Sequence, residues 1–554
     1  MNHAKQREAE VAVDVLIVGG GPVGAALAVE LGSRGVRCLL VERRTERTPQ
    51  PRAKTSNVRT MTLMRRWGLA DAVRAAAPLP ASFPSDIAFV TRLTGWELHR
   101  FRNALSTVVD RSRPYPETSQ QCPQDVVEEV MRERAKRLPT VDWRQGVALE
   151  QFEQTAGSVR ALVRDVETGR STSVRARFLA GCDGARSLVR EQCSIAMEGE
   201  DLGNNLSGVV RAPQLWSRND KLPAVQYWLV NAEVPGQMGP LNTTELWWFH
   251  LNDVPVGKRF SEQETRQLFF KAVGAQLPCE VLASAPWLAQ RLVAERYRAG
   301  PVFLLGDAAH VHPPQGGYGM NMGIGDAVDL GWKIGAVLAG WADDELLDSY
   351  AHERRPIHLR VIEEATINFM RNAARLPNPD LELEGPRGDD ARARAAELIQ
   401  TEKAREFASL GVQLGYRYEG SPAIVDDGTE PTPNEVSSYV PTARPGHLLP
   451  HVWIDDERCL YDLLGRDMTL LRLGPRPLDA SPLLARAAAG AMPVLVVDVD
   501  SPELADLCQA PLVLVRPDQH VAWRGDDPVA ACEIVDRLSG VARAQTVTGG
   551  AAQR

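Results

Sequence analysis

Two rhythms alternate along this chain: short β-branched runs that stop on a glycine or an acid, and longer stretches with helical spacing of apolar positions. Val11–Val18 (VAVDVLIV) predicts a strand, residues 19–24 (GGGPVG) a turn, residues 25–31 a helix, and residues 37–41 a second strand ending at Glu42. Residues 55–67 read as helix, and residues 83–101 break into short extended pieces. Residues 123–138 return to helix with Pro123 at the start and Gln124 beside it. Residues 147–165 alternate as strands, Thr168-Gly169 marks a hairpin, and the apolar run 177–180 leads into Gly181-Cys182-Asp183-Gly184. Within the irregular stretch 204–286, residues 226–230 and 245–251 (ELWWFHL) read as strands. The apolar run 302–305 stops at Gly306-Asp307, and a loop with Pro313, Pro314, Gly316, Gly317 and Gly319 follows. Helical spacing resumes over 321–338 and continues to about residue 375. Residues 377–390 form a polar linker, 391–410 a charged helix, and 419–450 an irregular proline-rich boundary before a small α/β unit at 451–541.

At 554 residues the chain is too long for one hydrophobic core, so two or three domains are expected. An apolar fraction of 44% with 24% charged residues is that of an ordinary soluble globular protein. The net charge of −8, without long like-charge runs, argues against a nucleic-acid partner held by a basic face. The run from residue 15 to 31 is the one stretch apolar enough to suggest a membrane or signal segment, but it holds Gly19, Gly20, Gly21, Pro22 and Gly24 and lacks a basic flank, so no membrane is expected. No two of the eight cysteines form a C-x-x-C pair, which reads as reduced thiols in a cytoplasm.

The glycine turn carries chemistry because of its setting. It follows a strand, opens a helix, and has an acid 18 residues beyond its last glycine at a second strand's end. That pattern suits a pyrophosphate at the helix N-terminus and a ribose diol on Glu42. The 306–325 loop also feeds a helix, whose free N–H groups suit an anionic or electron-rich ligand. Arg52 reads equally as a solvated arginine or as a phosphate contact. Tyr227, Trp228, Trp247, Trp248 and Phe249 read as pocket lining or as sheet core, with alternation placing Trp247 and Trp248 on opposite faces. Asp307, His310 and His312 could be metal ligands, but the prolines and glycines fit a cofactor wrap better and no third histidine or cysteine cluster follows, so no metal is expected.

Three segments together resemble one family: Gly19 to Gly24 with Glu42, CDGARSLVR at 182–190, and GDAAHVHPPQGGYGMNMGIGDA at 306–327. The chain is similar to the FAD-dependent single-component (group A) aromatic hydroxylases of the para-hydroxybenzoate hydroxylase type, in the branch that acts on polyketides, bisindoles and phenols. The resemblance implies an α/β fold. A Rossmann-like FAD-binding domain of the GR2 type would span 1–80, 110–200 and 285–375, and an inserted α+β substrate domain on a mixed or antiparallel sheet would span 81–109 and 201–284. A helical linker region would cover 376–446, and a thioredoxin-like domain without a redox cysteine pair 447–545.

By the same resemblance Gly19, Gly21, Pro22, Gly24, Glu42 and Arg43 bind the ADP half of FAD. Arg52 lies near the pyrophosphate and Gln124 reaches the ribityl chain. Gly306 and Asp307 hold the ribityl or pyrophosphate region, and Asp183 serves the flavin and the nicotinamide cofactor. Pro314, Gly316, Gly317, Gly319, Met320 and Asn321 wrap the ring, with the helix N-terminus at Asn321 and Met322 stabilising charge on the reduced flavin. Asp329 stands where relatives commonly have Asn, and its charge within a helix needs a partner. The implied reaction is hydroxylation of a phenolic or polycyclic substrate through a flavin C4a-hydroperoxide. It uses O2 and NADH or NADPH as a transient donor, since only one dinucleotide fingerprint is present. No general base is identified; Tyr227, Trp228 and Trp247 are candidate pocket residues, and a monomer or homodimer is expected. A halogenase lacks support because the Trp-x-Trp-x-Ile-Pro segment is absent. A reductase, or a non-catalytic flavoprotein that holds an unstable aromatic intermediate, is the alternative.

Overall fold

A computed structural model describes residues 10–46, 53–373 and 378–539. The strand Val11–Val18 sits at the centre of an eight-stranded sheet, flanked in parallel by Ser171–Gly181 on one side and Cys38–Glu42 on the other. Val302–Leu304 and Val141–Gln145 extend the parallel set outward, and the hairpin Val147–Thr155 and Ser158–Asp165 folds onto Ser171–Gly181. Both faces are covered, so the middle strands are apolar throughout: Val15, Leu16, Ile17, Leu39 and Leu40 have no exposure. The helix Pro22–Ser33 lies on this sheet with Tyr318–Ala339 against it.

The register has a functional consequence. Val18 pairs with Gly181, Gly181 with Leu304, and Val18 with Val41. The glycine turn, Glu42, Asp183 and Gly306-Asp307 therefore all leave the sheet at one carboxyl edge, where open parallel sheets hold their ligands.

A second eight-stranded sheet runs in the order His310–Val311, Glu280–Ala294, Met197–Arg211, Leu246–Leu251, Gly236–Pro240, Gln226–Leu229, Ile87–Val90, Glu97–Phe101. Every pairing is antiparallel except that of Gln226–Leu229 with Ile87–Val90. The sheet reaches past residues 201–284 at both ends, and its last strand comes from the GDAAHVH segment itself. A four-stranded sheet, ordered Val494–Val499, Met468–Leu473, Leu512–Val515, Val521–Gly525, forms the carboxy-terminal unit with helices Ser481–Ala489, Pro502–Cys508 and Cys532–Leu538.

The charged helix read at 391–410 runs Pro386–Phe407, starting inside the stretch read as linker, and three further boundary differences bear on the site. Residues 55–67 are not one helix: Thr55–Ser56 pairs with Gln120–Gln121, and the helix Val58–Arg66 begins after Asn57, whose side chain accepts from the Thr60 N–H. The long helix after the loop is two, Tyr318–Ala339 and Asp348–Ala373, because left-handed Gly340 caps the first. The first of these also starts at Tyr318 rather than residue 321, with Gly317 at its N-cap.

Candidate functional site

At the carboxyl edge the glycine turn is held by packing. A side chain at Gly19, whose φ is +107°, would sit 2.3 Å from the Cys182 carbonyl oxygen, and one at Gly24 would sit 1.9 Å from the Gly19 oxygen. Gly21 differs, for nothing lies within 4 Å of where its side chain would be. Gly21 is the N-cap of Pro22–Ser33 and offers no side-chain cap, so the first N–H groups of that helix face this open space. Glu42 accepts from the Gly20 N–H at 2.7 Å and the Arg44 N–H at 2.8 Å, which braces the turn while leaving lone pairs for a diol. Arg43 is exposed beside it, and Arg52 lies outside the described residues. Gln124 opens its helix as expected, but its amide donates to Glu128 Oε1 at 2.7 Å.

Asp183 also turns out to serve its own loop. Its carboxylate accepts from Ser187 Oγ at 2.5 Å and the Val189 N–H at 3.1 Å, at the start of Leu188–Gln192. Burial pushes its pKa up against those two hydrogen bonds. Its Cα stands within contact of the Gly19 turn, so it fixes how the two loops meet.

The third loop repeats the design of the first. Asp307 lies in the single turn Gly306–Ala308, and Pro314 is exposed. Gly316 and Gly317 have φ of +82° and +66°. No atom lies within 4 Å of a side chain built at Gly317 or Gly319, and the Tyr318–Ala339 helix has no side-chain cap. The free N–H groups therefore belong to Tyr318, Gly319 and Met320 rather than to Asn321 and Met322. Asn321 has another use: its Oδ1 accepts from the Asn57 N–H at 3.0 Å, and its Nδ2 donates to the oxygens of Thr55 and Gly317 at 3.0 and 2.7 Å. It ties the loop to the Thr55–Ser56 strand. Two helix N-termini without side-chain caps, with Gly21, Gly317 and Gly319 open above them, fit a flat ring joined to a pyrophosphate, as in FAD.

Behind this loop sits a cluster that pattern reading missed. Asp326 has no solvent exposure and accepts from the Gly306 N–H at 3.1 Å, His310 Nε2 at 2.7 Å, His358 Nε2 at 2.7 Å and Arg354 Nε at 2.8 Å. Burial works to raise its pKa, but these cationic and donor neighbours hold it well below the usual range. The third histidine absent from the local sequence is thus supplied by the Asp348–Ala373 helix, and the partner carboxylate is Asp326 rather than Asp307. His310 and His358 stack face to face, 3.5 Å apart at 16°. Both rings spend Nε2 on Asp326, so the group braces the Gly306 turn against the Asp348–Ala373 helix.

Of the three pocket candidates, Tyr227 and Trp247 belong to the core. They have no exposure and pack with Phe249 and Phe269 on the face covered by the helix Glu262–Val273. The Tyr227 hydroxyl is committed to Asn219, 3.0 Å away, and to the Ala224 N–H at 3.1 Å. Alternation sends Trp228 to the other face, where it stacks on Phe89 at 5.4 Å beneath Phe407. Trp248 and His250 share that opposite face, which the period of two in ELWWFHL already implied.

The family described as FAD binding domain matches residues 12–365, and that described as aromatic-ring hydroxylase, C-terminal, matches residues 442–543. A putative polyketide hydroxylase of Streptomyces halstedii is 33% identical over 547 residues, covering 94% of this chain and 95% of its own. Among solved structures, the rebeccamycin biosynthetic enzyme RebC with reduced flavin superposes with a TM-score of 0.89 at 36% identity, over 96% of this chain and 100% of that one. A ternary complex of aklavinone-11 hydroxylase with FAD and aklavinone gives 0.82 at 29% identity, over 96% and 99%.

Proposed function

This chain belongs to the FAD-dependent aromatic-ring hydroxylases, and from that premise we propose that it places one atom of O2 on an electron-rich carbon of a phenolic or polycyclic aromatic substrate. The observation that carries this reading is the alignment, at one sheet edge, of two helix N-termini without side-chain caps and open glycines. Bound FAD, reduced by NADH or NADPH, supplies the activated oxygen.

The chain's own residues hold, orient and seclude. The start of Pro22–Ser33 takes the pyrophosphate, with Glu42 on the adjoining ribose and Arg43 nearby. Gly306, Asp307 and Gln124 flank the ribityl chain, while Pro314, Gly316, Gly317 and Gly319 lie along the ring edge. The N–H groups of Tyr318, Gly319 and Met320 point positive dipole toward the ring's electron-rich edge, with Asn321 anchoring that turn. Asp183 keeps the glycine turn in place. The second sheet and the helix Pro386–Phe407 keep water from the substrate. One dinucleotide fingerprint supports a transiently visiting nicotinamide donor.

We assign 1–80, 110–200 and 285–375 to flavin binding, 81–109 and 201–284 to the substrate, 376–446 to a helical linker region, and 447–545 to a thioredoxin-like unit. The eight unpaired cysteines support a reducing, cytoplasmic setting. Among the described residues, no helix is long and apolar enough to cross a membrane. The oligomeric state in this reading is a monomer or a homodimer. Purified protein is expected to show a flavin spectrum and to consume NAD(P)H and O2 faster with phenols or polycyclic aromatics, forming hydroxylated product. Absence of bound flavin, or oxidation that no aromatic stimulates, would overturn the proposal.

A further inference from the structure

Lys54 stands between the two halves of the site. It immediately precedes Thr55, whose carbonyl oxygen accepts from Asn321 in the ring loop, and its own carbonyl accepts from the Cys122 N–H. From there its side chain crosses to the second sheet, where Nζ lies 3.2 Å from the centre of the Trp248 ring. Among the described residues no carboxylate pairs with it. The side chain keeps a little exposure, yet its ammonium has lost enough water that burial alone pulls its pKa down to about 7.

The sheet face beneath it is equally unsatisfied. His250 lies two residues along from Trp248 on the same face, opposite Ser207, and its ring meets Trp287 edge-on at 4.6 Å. His250 Nε2 and the indole N–H groups of Trp248 and Trp287 are buried without hydrogen-bond partners. Burial, with the charge of Lys54 adding to it, lowers the His250 pKa to about 3, so its ring is neutral. An ammonium and buried ring N–H groups gathered on one sheet face, with no acceptor oxygen recorded for them among the described residues, leave an unfilled demand for one.

We propose that Lys54, over Trp248 and beside His250, receives a phenolate oxygen of the aromatic substrate and so selects substrates that carry an ionised phenol. This deepens the proposed function and rests on it. A phenolate fits better than a carboxylate because one ammonium is a point charge suited to one oxygen, whereas a carboxylate asks for paired donors of the arginine kind. The Trp248 and Trp287 rings give a flat aromatic its walls. An ionised phenol is also the most electron-rich form of such a ring, so the same contact would present the substrate in its reactive state.

Three flat probes test this on the flavin-loaded protein: alizarin, anthraquinone-2-carboxylate and 2-methylanthraquinone, titrated by tryptophan quenching and visible absorption at a pH where free alizarin is yellow. The parent is expected to turn alizarin red on binding and to hold it at least about tenfold more tightly than 2-methylanthraquinone. Lys54→Met should abolish both the colour change and the preference, and Lys54→Arg should keep most of each. No reddening in the parent, reddening undiminished in Lys54→Met, or a Lys54-dependent preference for the carboxylate over alizarin would overturn the inference. Flavin content of the same samples separates the failures: a parent without flavin fails the proposed function, whereas flavin with no ionised phenol fails this inference alone.

Discussion

Asp326 feeds the backbone of the Gly306 turn and three cationic or donor side chains from one buried carboxylate. Asp326→Asn would leave Arg354 without its charge partner where neither group has any exposure, and breaking such a pair costs about 3–5 kcal/mol. Urea unfolding should register that loss, and flavin titration should show weaker binding because the Gly306 turn loses its anchor. Glu30 makes a pH prediction. Burial tends to raise its pKa, but Arg66, Arg34 and the Trp67 indole bring it from the ordinary 4.5 down to about 2. A depressed carboxylate stabilises the fold above its unfolded pKa and loses that contribution as pH falls through the folded one. The window is therefore between pH 4.5 and about 2, with about 3 kcal/mol at stake. The stability gap between the parent and Glu30→Gln should be widest near neutral pH and close across that window. Residues such as Gly19, Gly21, Gly24 and Glu42 were legible because a local turn imposes their spacing. Asp326 was not, since its partners come from a turn, a strand and a separate helix, and no short-range pattern encodes that meeting.

At the level of elements, the Tyr318–Ala339 helix shows how a glycine can mislead. Gly319 lowers helix propensity, so its surroundings read as loop, yet it lies in the first turn with open space above it. Gly319→Ala should therefore leave the flavin-free protein as stable as the parent, or more so by up to about 1 kcal/mol, while weakening flavin binding. Thermal melts of the flavin-free protein beside flavin titrations would measure the two effects separately; unchanged flavin affinity would place the ring elsewhere. The strands of the central sheet were legible because burial on both faces demands unbroken apolar runs. The two-residue strand Thr55–Ser56 was not, for it exists only through its partner at Gln120–Gln121. Alternation in ELWWFHL separated the two faces correctly, but only the packing helix Glu262–Val273 decides which face is core.

Across the whole molecule, the buried Asp329 carboxyl finds its partner in another unit. Arg516, just beyond the strand Leu512–Val515, reaches Asp329 at 3.1 Å, Glu353 at 2.6 Å and Asp518 at 2.7 Å, while Lys333 joins Asp329 and Glu353. Arg59 adds contacts to Gln519 and the Asp518 carbonyl. Arg516→Met should cost about 3–5 kcal/mol, and adding Asp329→Asn should recover part of it, since the buried excess of carboxylates shrinks. Calorimetry followed with flavin fluorescence would reveal whether the carboxy-terminal unit and the flavin site still melt together. No pattern in residues 451–541 announced this clamp, because two of its three acids, Asp329 and Glu353, lie on helices outside that unit. The strand His310–Val311 joins the halves differently: it belongs to the loop that carries Gly316, Gly317 and Gly319, yet it hydrogen-bonds to Leu292–Val293 as the last strand of the second sheet. In the proposed function, the floor under the substrate and the seat of the ring would thus be one continuous piece of backbone, and main chain would set their spacing. Side chains on that floor would then be exchangeable for a new aromatic, while the reach over which oxygen must travel would stay as it was.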